Sequence, residues 1–261
     1  VYIATPPGSH LVYALEAIRA GKPVYIEKPM ARTWEECRVI NEAGKAAGVP
    51  VFVAYYRRSL EYFLKVKELV ASGILGRLLR LNMQQHFPAR DEDFRPENLP
   101  WRVLPEDSGG GYFHDMGCHA LDILFYLFGD PLEVSGQVCN VGGLYPPEDT
   151  IAASLLLPDK LMVSGSWSFV SPPEYQKDRI EVVGEHGLLE FSVFSFEPIH
   201  LSAGAKTESF SLKQPEHIQM PHIRSIVSHL QGTGTCPSTG EAAAVTSRVM
   251  DVITGRLPSF V

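Results

Sequence analysis

The chain has 261 residues, 45% of them hydrophobic, with a formal net charge of −7 and a sequence pI near 5.7. That is enough apolar material for one large core or two modest ones, and the acidic balance excludes the clustered basic face that nucleic-acid binding requires. No apolar run approaches the ~18 residues of a membrane span, and the first residues lack the charged-then-apolar layout of a signal peptide, so a cytoplasmic protein without nucleic-acid or membrane partners is expected.

"VYIATPPGSH" opens the chain on a strand that Pro6-Pro7 ends. In "SHLVYALEAIRAGK", Ser9 is a candidate N-cap, apolar residues recur at helical spacing, and Gly21 is the stop. "PVYIEKP" predicts the next strand. Strand, helix and strand within about 30 residues make a βαβ unit of a parallel sheet, whose functional crevice lies at the carboxyl ends of its strands. Both "TPP" and "EKP" fall at such ends. Burying an unpaired charge is costly, so Lys28 is expected to stand at the strand's mouth rather than inside it. A helix from Thr33 with the capping-box pattern Thr33–Glu36, the strand "VPVFVAYY", the helix "SLEYFLKVKELVASG" ending at Gly73, and the alternating strand "GRLLRLNMQQHF" continue the α/β order.

From Glu133 the pattern changes to serial strands: "EVSGQVCNVG", "DTIAASLLLP", "LMVSGSWSFV", "DRIEVVGEHGLLEFSV", "PIHLSA" and "TESFSLK". Such a series predicts one large, mostly antiparallel sheet, and helices around "HIRSIVSHLQG" and "GEAAAVTSRVMDVITG" finish the chain. The helices are too few to cover both faces of that sheet, which predicts a homodimer or homotetramer formed through it. Cys37, Cys118, Cys139 and Cys236 show no CxxC spacing, which argues against a zinc ribbon, a redox pair or a disulfide.

The densest chemistry lies between the two patterns, in "WRVLPEDSGGGYFHDMGCHALDILFYLFG", residues 101 to 129. Asp115, His119 and Asp122 recur at i, i+4 and i+7, one face of a helix, so Asp115 and His119 can share a site in which the carboxylate tunes the imidazole as a general base. On spacing alone, a helix N-terminus carrying Asp115 for dipole reasons, with a half-buried hydrogen-bonded His119, is the simpler account. A metal site from His114, Asp115, Cys118 and His119 is weaker still, because neighbouring helical positions point to different faces; no metal is expected.

"ATPPGSHLVYALEAIRAGKPVYIEKPMA", followed some seventy residues on by "WR…GGG…D.G.H..D", resembles the Gfo/Idh/MocA family of NAD(P)-dependent oxidoreductases. The resemblance covers essentially the whole chain, the sheet-rich second half by layout rather than by motif. It implies a fold of α/β plus α+β class. Residues 1–57 would be the C-terminal part of a Rossmann-type parallel sheet. Residues 58–261 would be a substrate-binding and oligomerisation domain with a large open sheet and helices on one face, its C-terminal helix packing back on the first domain. It further implies hydride transfer between NAD or NADP and a secondary hydroxyl of a sugar, sugar acid or cyclitol. By this resemblance Lys28, Asp115 and His119 are the catalytic set, His119 exchanging the hydroxyl proton and Lys28 orienting the oxygen. Thr5, Pro6, His10, Glu27, Lys28, Trp101 and Arg102 then lie at the cofactor. Arg58, in "AYYRRS", is a substrate-side candidate beside Tyr56, which stands where many members have Asn. A regulatory protein that keeps the fold without turnover, and an NAD-dependent glycosidase, are the alternatives. The family's GxGxxG phosphate loop does not occur in the sequence, so the chain is read as a fragment of a longer enzyme, inactive and weak in nucleotide binding by itself.

Overall fold

A computed structural model describes residues 1–259. Strands β1 (Tyr2–Ile3), β2 (Val24–Ile26) and β3 (Val51–Val53) run parallel in that order, with Tyr2 opposite Tyr25 and Val24 opposite Val51. Every residue of β2 and β3 is buried, as expected where crossover helices cover a parallel sheet. Helix α1 (His10–Arg19) buries His10, Ala14, Ala17 and Ile18, a stripe at helical spacing. The expected Ser9 cap is not formed. The two prolines tighten residues 7–9 into a 3₁₀ turn, and the Ser9 hydroxyl donates to Thr5 Oγ1 (2.7 Å) instead of accepting from the helix.

Helix α2 (Trp34–Ala47) begins as the sequence predicts, with Thr33 Oγ1 accepting the Glu36 N–H at 3.2 Å. Glu36 does not close the box, because its carboxylate is drawn to the Arg32 amide (3.0 Å) and guanidinium. The buried face of α2 includes Gly44, where a Cβ would lie 2.9 Å from Val51 Cγ2 and 3.0 Å from the Val49 carbonyl. Only glycine lets this helix settle so closely on β3.

After α3 (Glu61–Ala71), β4 (Leu78–His86), the short α4 (Pro105–Ser108) and α5 (Cys118–Phe128) comes the strand series. It comprises β5 (Glu133–Cys139), β6 (Thr150–Leu156), β7 (Met162–Ser168), β8 (Lys177–Gly184), β9 (Gly187–Phe191), β10 (Ile199–Ala203) and β11 (Lys206–Phe210). With β4 they form one eight-stranded sheet, β11-β10-β9-β8-β4-β7-β6-β5, antiparallel throughout except between β4 and β7. Period-2 alternation divides its faces: Leu81, Met83, Val163, Trp167, Ile180 and Val182 are buried, whereas Arg80, Met162 and Ala152 lie on the open side.

Helices α6 (Met220–Leu230) and α7 (Gly240–Ile253) return to the first sheet. Asp251 Oδ2 accepts the Trp34 N–H at the start of α2 (2.7 Å), and Asn41 Nδ2 donates to the Gly240 carbonyl (2.9 Å). Helix α7 thus packs against α2, and this contact links the two sheets. All four cysteines are free thiols, and Cys139 alone among them is exposed. Among the described residues no helix is long and apolar enough to cross a membrane.

Candidate active site

Lys28 leaves the carboxyl end of β2 and is joined to Pro29 by a cis peptide bond. Its Nζ donates to Asp115 Oδ1 at 2.5 Å and to the Asp115 backbone carbonyl at 2.8 Å. Arg102 Nε donates to the other carboxylate oxygen at 3.2 Å, and its guanidinium lies 4.5 Å from the centre of the Trp101 ring. Burial alone would lower the Lys28 pKa, but the Asp115 carboxylate outweighs it and holds the ammonium above its ordinary value. Burial would likewise raise Asp115, and Lys28 followed by Arg102 reverses the shift, so the carboxylate is held low.

His119 lies elsewhere in the cleft, buried edge-on to the rings of Tyr55, Tyr56 and Phe194. Arg57 Nη1 donates to its Nδ1 at 2.9 Å. Burial, with the Arg57 and Lys28 cations, holds its pKa well below the ordinary value. The expected pairing of Asp115 with His119 is absent, and the backbone explains why. Residues Phe113–Gly117 form a π-turn ahead of α5, whose i→i+5 hydrogen bonding widens the turn, so regular α-helical spacing does not run from Asp115 to His119. Asp115 thus turns to Lys28 and Arg102, and His119 to Arg57.

A second correction concerns Arg58. It is buried and makes a two-pronged pair with Asp122, Nε to Oδ2 at 2.9 Å and Nη2 to Oδ1 at 2.7 Å, while Nη1 donates to the Pro237 carbonyl. That is a structural tie between the strand end and α5, not a substrate contact. Its neighbour Arg57, which the sequence reading passed over, is the residue in the site. The buried carboxylate of Asp122, three residues beyond His119, was a signal that one arginine of the doublet would be claimed by it.

Of the residues assigned to the cofactor, Thr5 and Pro6 are exposed at the end of β1, and Trp101 and Arg102 are half-buried. His10 is fully buried, its Nε2 against the Thr5 carbonyl (2.8 Å) and its Nδ1 against those of Pro29 and Met30 (3.2 Å each), so it pins the β1 turn to the β2 turn from behind. Direct cofactor contact by His10 is thereby corrected: neither ring nitrogen is available. Glu27 accepts from Tyr2 Oη (2.6 Å), Gln219 Nε2 (2.9 Å) and the Lys28 amide (3.2 Å), tying β2 to the α6 side.

The exposed Thr5-Pro6 turn and the sheltered Lys28 ammonium follow the carboxyl ends of the neighbouring parallel strands β1 and β2, an arrangement that fits the nicotinamide–ribose end of a dinucleotide. Residues from the second half reach this turn, since a Cβ on Gly8 would lie 2.8 Å from the Glu106 carbonyl. Among the described residues no cluster of His, Cys, Asp and Glu has the makings of a metal site.

Comparison with known proteins assigns both halves to one family. Residues 1–55 match the model of an oxidoreductase family with an NAD-binding Rossmann fold, and residues 63–190 match that of the GFO/IDH/MocA C-terminal domain. An oxidoreductase of Formosa agariphila is 36% identical over 255 residues, which cover 98% of this chain and 78% of that protein. The scyllo-inositol 2-dehydrogenase (NADP(+)) of Bacillus subtilis is 35% identical over 139 residues, 53% of this chain and 37% of its own. The crystal structure of aldose-aldose oxidoreductase from Caulobacter crescentus, complexed with glycerol, aligns with a TM-score of 0.82 at 26% identity, covering 97% of this chain and 75% of that one.

Proposed function

The chain belongs to the Gfo/Idh/MocA family of NAD-binding oxidoreductases, and on that premise we propose that it transfers hydride between NAD or NADP and a secondary hydroxyl, or the matching ketone, of a sugar, sugar acid or cyclitol. The single observation that carries this reading is the Lys28 ammonium, two of whose three N–H bonds are fixed by Asp115 at the carboxyl end of β2. The third is left for a substrate oxygen.

Bound nicotinamide would supply the hydride chemistry at the Thr5-Pro6 turn. Residues 1–57 form the nucleotide side and 58–261 the substrate side of the cleft. Lys28 orients the reacting oxygen and stabilises charge developing on it, in a site sheltered enough for that charge to count. Asp115 keeps Lys28 charged and aimed, and Arg102 keeps Asp115 in place. His119 adds Nε2, which has no hydrogen-bond partner among the described residues. The open face of the eight-stranded sheet serves a homodimer or homotetramer, and the four free thiols suit a cytoplasmic location.

The test is to follow reduced-nicotinamide absorbance with NAD and NADP against a panel of sugars, uronic and aldonic acids, cyclitols and their keto forms. Turnover that falls about 10²- to 10⁴-fold in Lys28→Met, with nucleotide affinity within a few-fold, is expected. Lys28→Met retaining wild-type turnover would overturn the assignment.

A further inference from the structure

We infer that Arg57 is a positioning residue that fixes His119 in the Nε2–H form, so that His119 serves as a neutral hydrogen-bond donor to the substrate oxygen and the proton is exchanged at Lys28. The inference rests on the contact between Arg57 Nη1 and His119 Nδ1 at 2.9 Å. A guanidinium has donors only and is not deprotonated in proteins, so the nitrogen that faces it must offer its lone pair. In a neutral imidazole the hydrogen is then on Nε2.

Arg57 is built into that posture. It is 4% exposed; its Nε donates to the Val193 carbonyl (3.0 Å), its Nη1 also donates to Tyr56 Oη (3.1 Å), and it lies over the rings of Phe194 and Tyr56, 4.6 and 5.0 Å from their centres. It forms no ion pair with a carboxylate among the described residues; Asp178, the carboxylate that acts on it, accepts from the backbone N–H groups of Val193, Phe194 and Ser195, and the guanidinium stays directed at the imidazole. The groups facing His119 agree in sign. Tyr55 and Tyr56 present ring edges from the end of β3, Arg57 and Lys28 are cations, and the carboxylates on its own stretch of chain are both engaged, Asp115 by Lys28 and Arg102 and Asp122 by Arg58. A second proton on the imidazole is therefore opposed from each side.

The catalytic consequence follows, and it rests on reading the cleft as a hydride-transfer site. A base must accept a proton at the nitrogen that faces the substrate, and Nε2 is already protonated. In the reducing direction a C–H bond forms at the carbonyl carbon from the hydride of reduced nicotinamide, and the C=O π pair moves to oxygen. That oxygen takes a proton from Lys28 Nζ, leaving a neutral amine beside Asp115. The Nε2–H of His119 stabilises the developing charge without transferring its proton, as a preorganised donor does. Oxidation runs the same steps backwards and needs the neutral amine of Lys28, a form that Asp115 disfavours, so the oxidising direction should gain rate as pH rises.

Two measurements test this independently. Two-bond ¹H–¹⁵N spectra of the histidine rings need no substrate, and they should show His119 as the neutral Nε2–H tautomer from about pH 8 to about pH 5. In Arg57→Met, His119 should begin to titrate or populate the other tautomer, and Arg57→Lys should restore the wild-type spectrum. A wild-type His119 that is Nδ1-protonated or doubly protonated near neutral pH overturns the inference, whether or not the protein turns over any sugar. Kinetically, His119→Gln keeps an amide donor and should retain kcat within about tenfold, where loss of a general base would cost about 10²- to 10⁴-fold. A loss of that size in His119→Gln, with the tautomer as stated, would overturn the reading of His119 as a hydrogen-bond donor that an amide can replace.

Discussion

Arg57 and Arg58 are adjacent in sequence and face opposite demands. Arg58 meets Asp122 with both side chains almost wholly enclosed, 6% and 1% exposed, so removing either partner leaves a buried charge without compensation. Asp122→Ala should therefore destabilise the protein by about 3–5 kcal/mol, and the double replacement Arg58→Met with Asp122→Leu should recover most of that loss. Urea unfolding of the three variants checks it, and additive losses would contradict it. At this scale the sequence showed Lys28 clearly, because a charge closing a buried strand has few places to go. It did not separate the two arginines, since a 3₁₀ turn over Tyr56–Ser59 decides which one meets Asp122 and which one meets His119, both on α5.

The π-turn at Phe113–Gly117 shows what element-level reasoning can and cannot see. Strand and helix periods placed nearly every element, because apolar stripes such as Ala14-Ala17-Ile18 and the alternation along β4 are written directly in residue order. A π-turn carries no such period, so the helical phase that joined Asp115 to His119 on paper is broken in the fold. Gly117 holds the turn: a Cβ there would lie 2.5 Å from Phe113 Cδ2 and 3.4 Å from Trp167 Nε1, and both rings are fully enclosed. Glycine to alanine in a helix ordinarily gains about 1 kcal/mol. Here overpacking of about 1–3 kcal/mol should exceed that gain, so Gly117→Ala is expected to lower the urea midpoint and, by shifting Asp115 against Lys28, to lower turnover as well. A stabilised Gly117→Ala would mean that the turn relaxes freely.

Across the whole molecule, three buried histidines sit where the first sheet meets the rest of the chain. His10 joins the β1 and β2 turns, His119 lies under Arg57, and His222 contacts the Val53 carbonyl (3.0 Å) at the end of β3 and Ser59 Oγ (3.1 Å) beyond it. Burial is the largest cause of a lowered pKa in all three, to about 4 for His222. The sign follows from linkage. A group whose pKa is depressed by folding binds its proton more readily in the unfolded chain, so the native state loses stability once pH falls below the unfolded value of about 6.5. For His222 that loss continues down to about pH 4 and amounts to roughly 3 kcal/mol. Below it the depressed carboxylates Asp115 and Glu148 add their own loss as they protonate. The urea midpoint should accordingly fall steadily between about pH 6.5 and about pH 4, and His222→Gln, which keeps a donor for Val53 but cannot take a second proton, should make the decline shallower. Because all three histidines lie at the seam between the halves, the acid transition should separate them there first, exposing Tyr25 and Phe52 before the sheet of β4 to β11 unfolds. A flat midpoint across that range, or a slope that His222→Gln leaves unchanged, would show that these imidazoles are protonated in the native state and that the seam is held by other means.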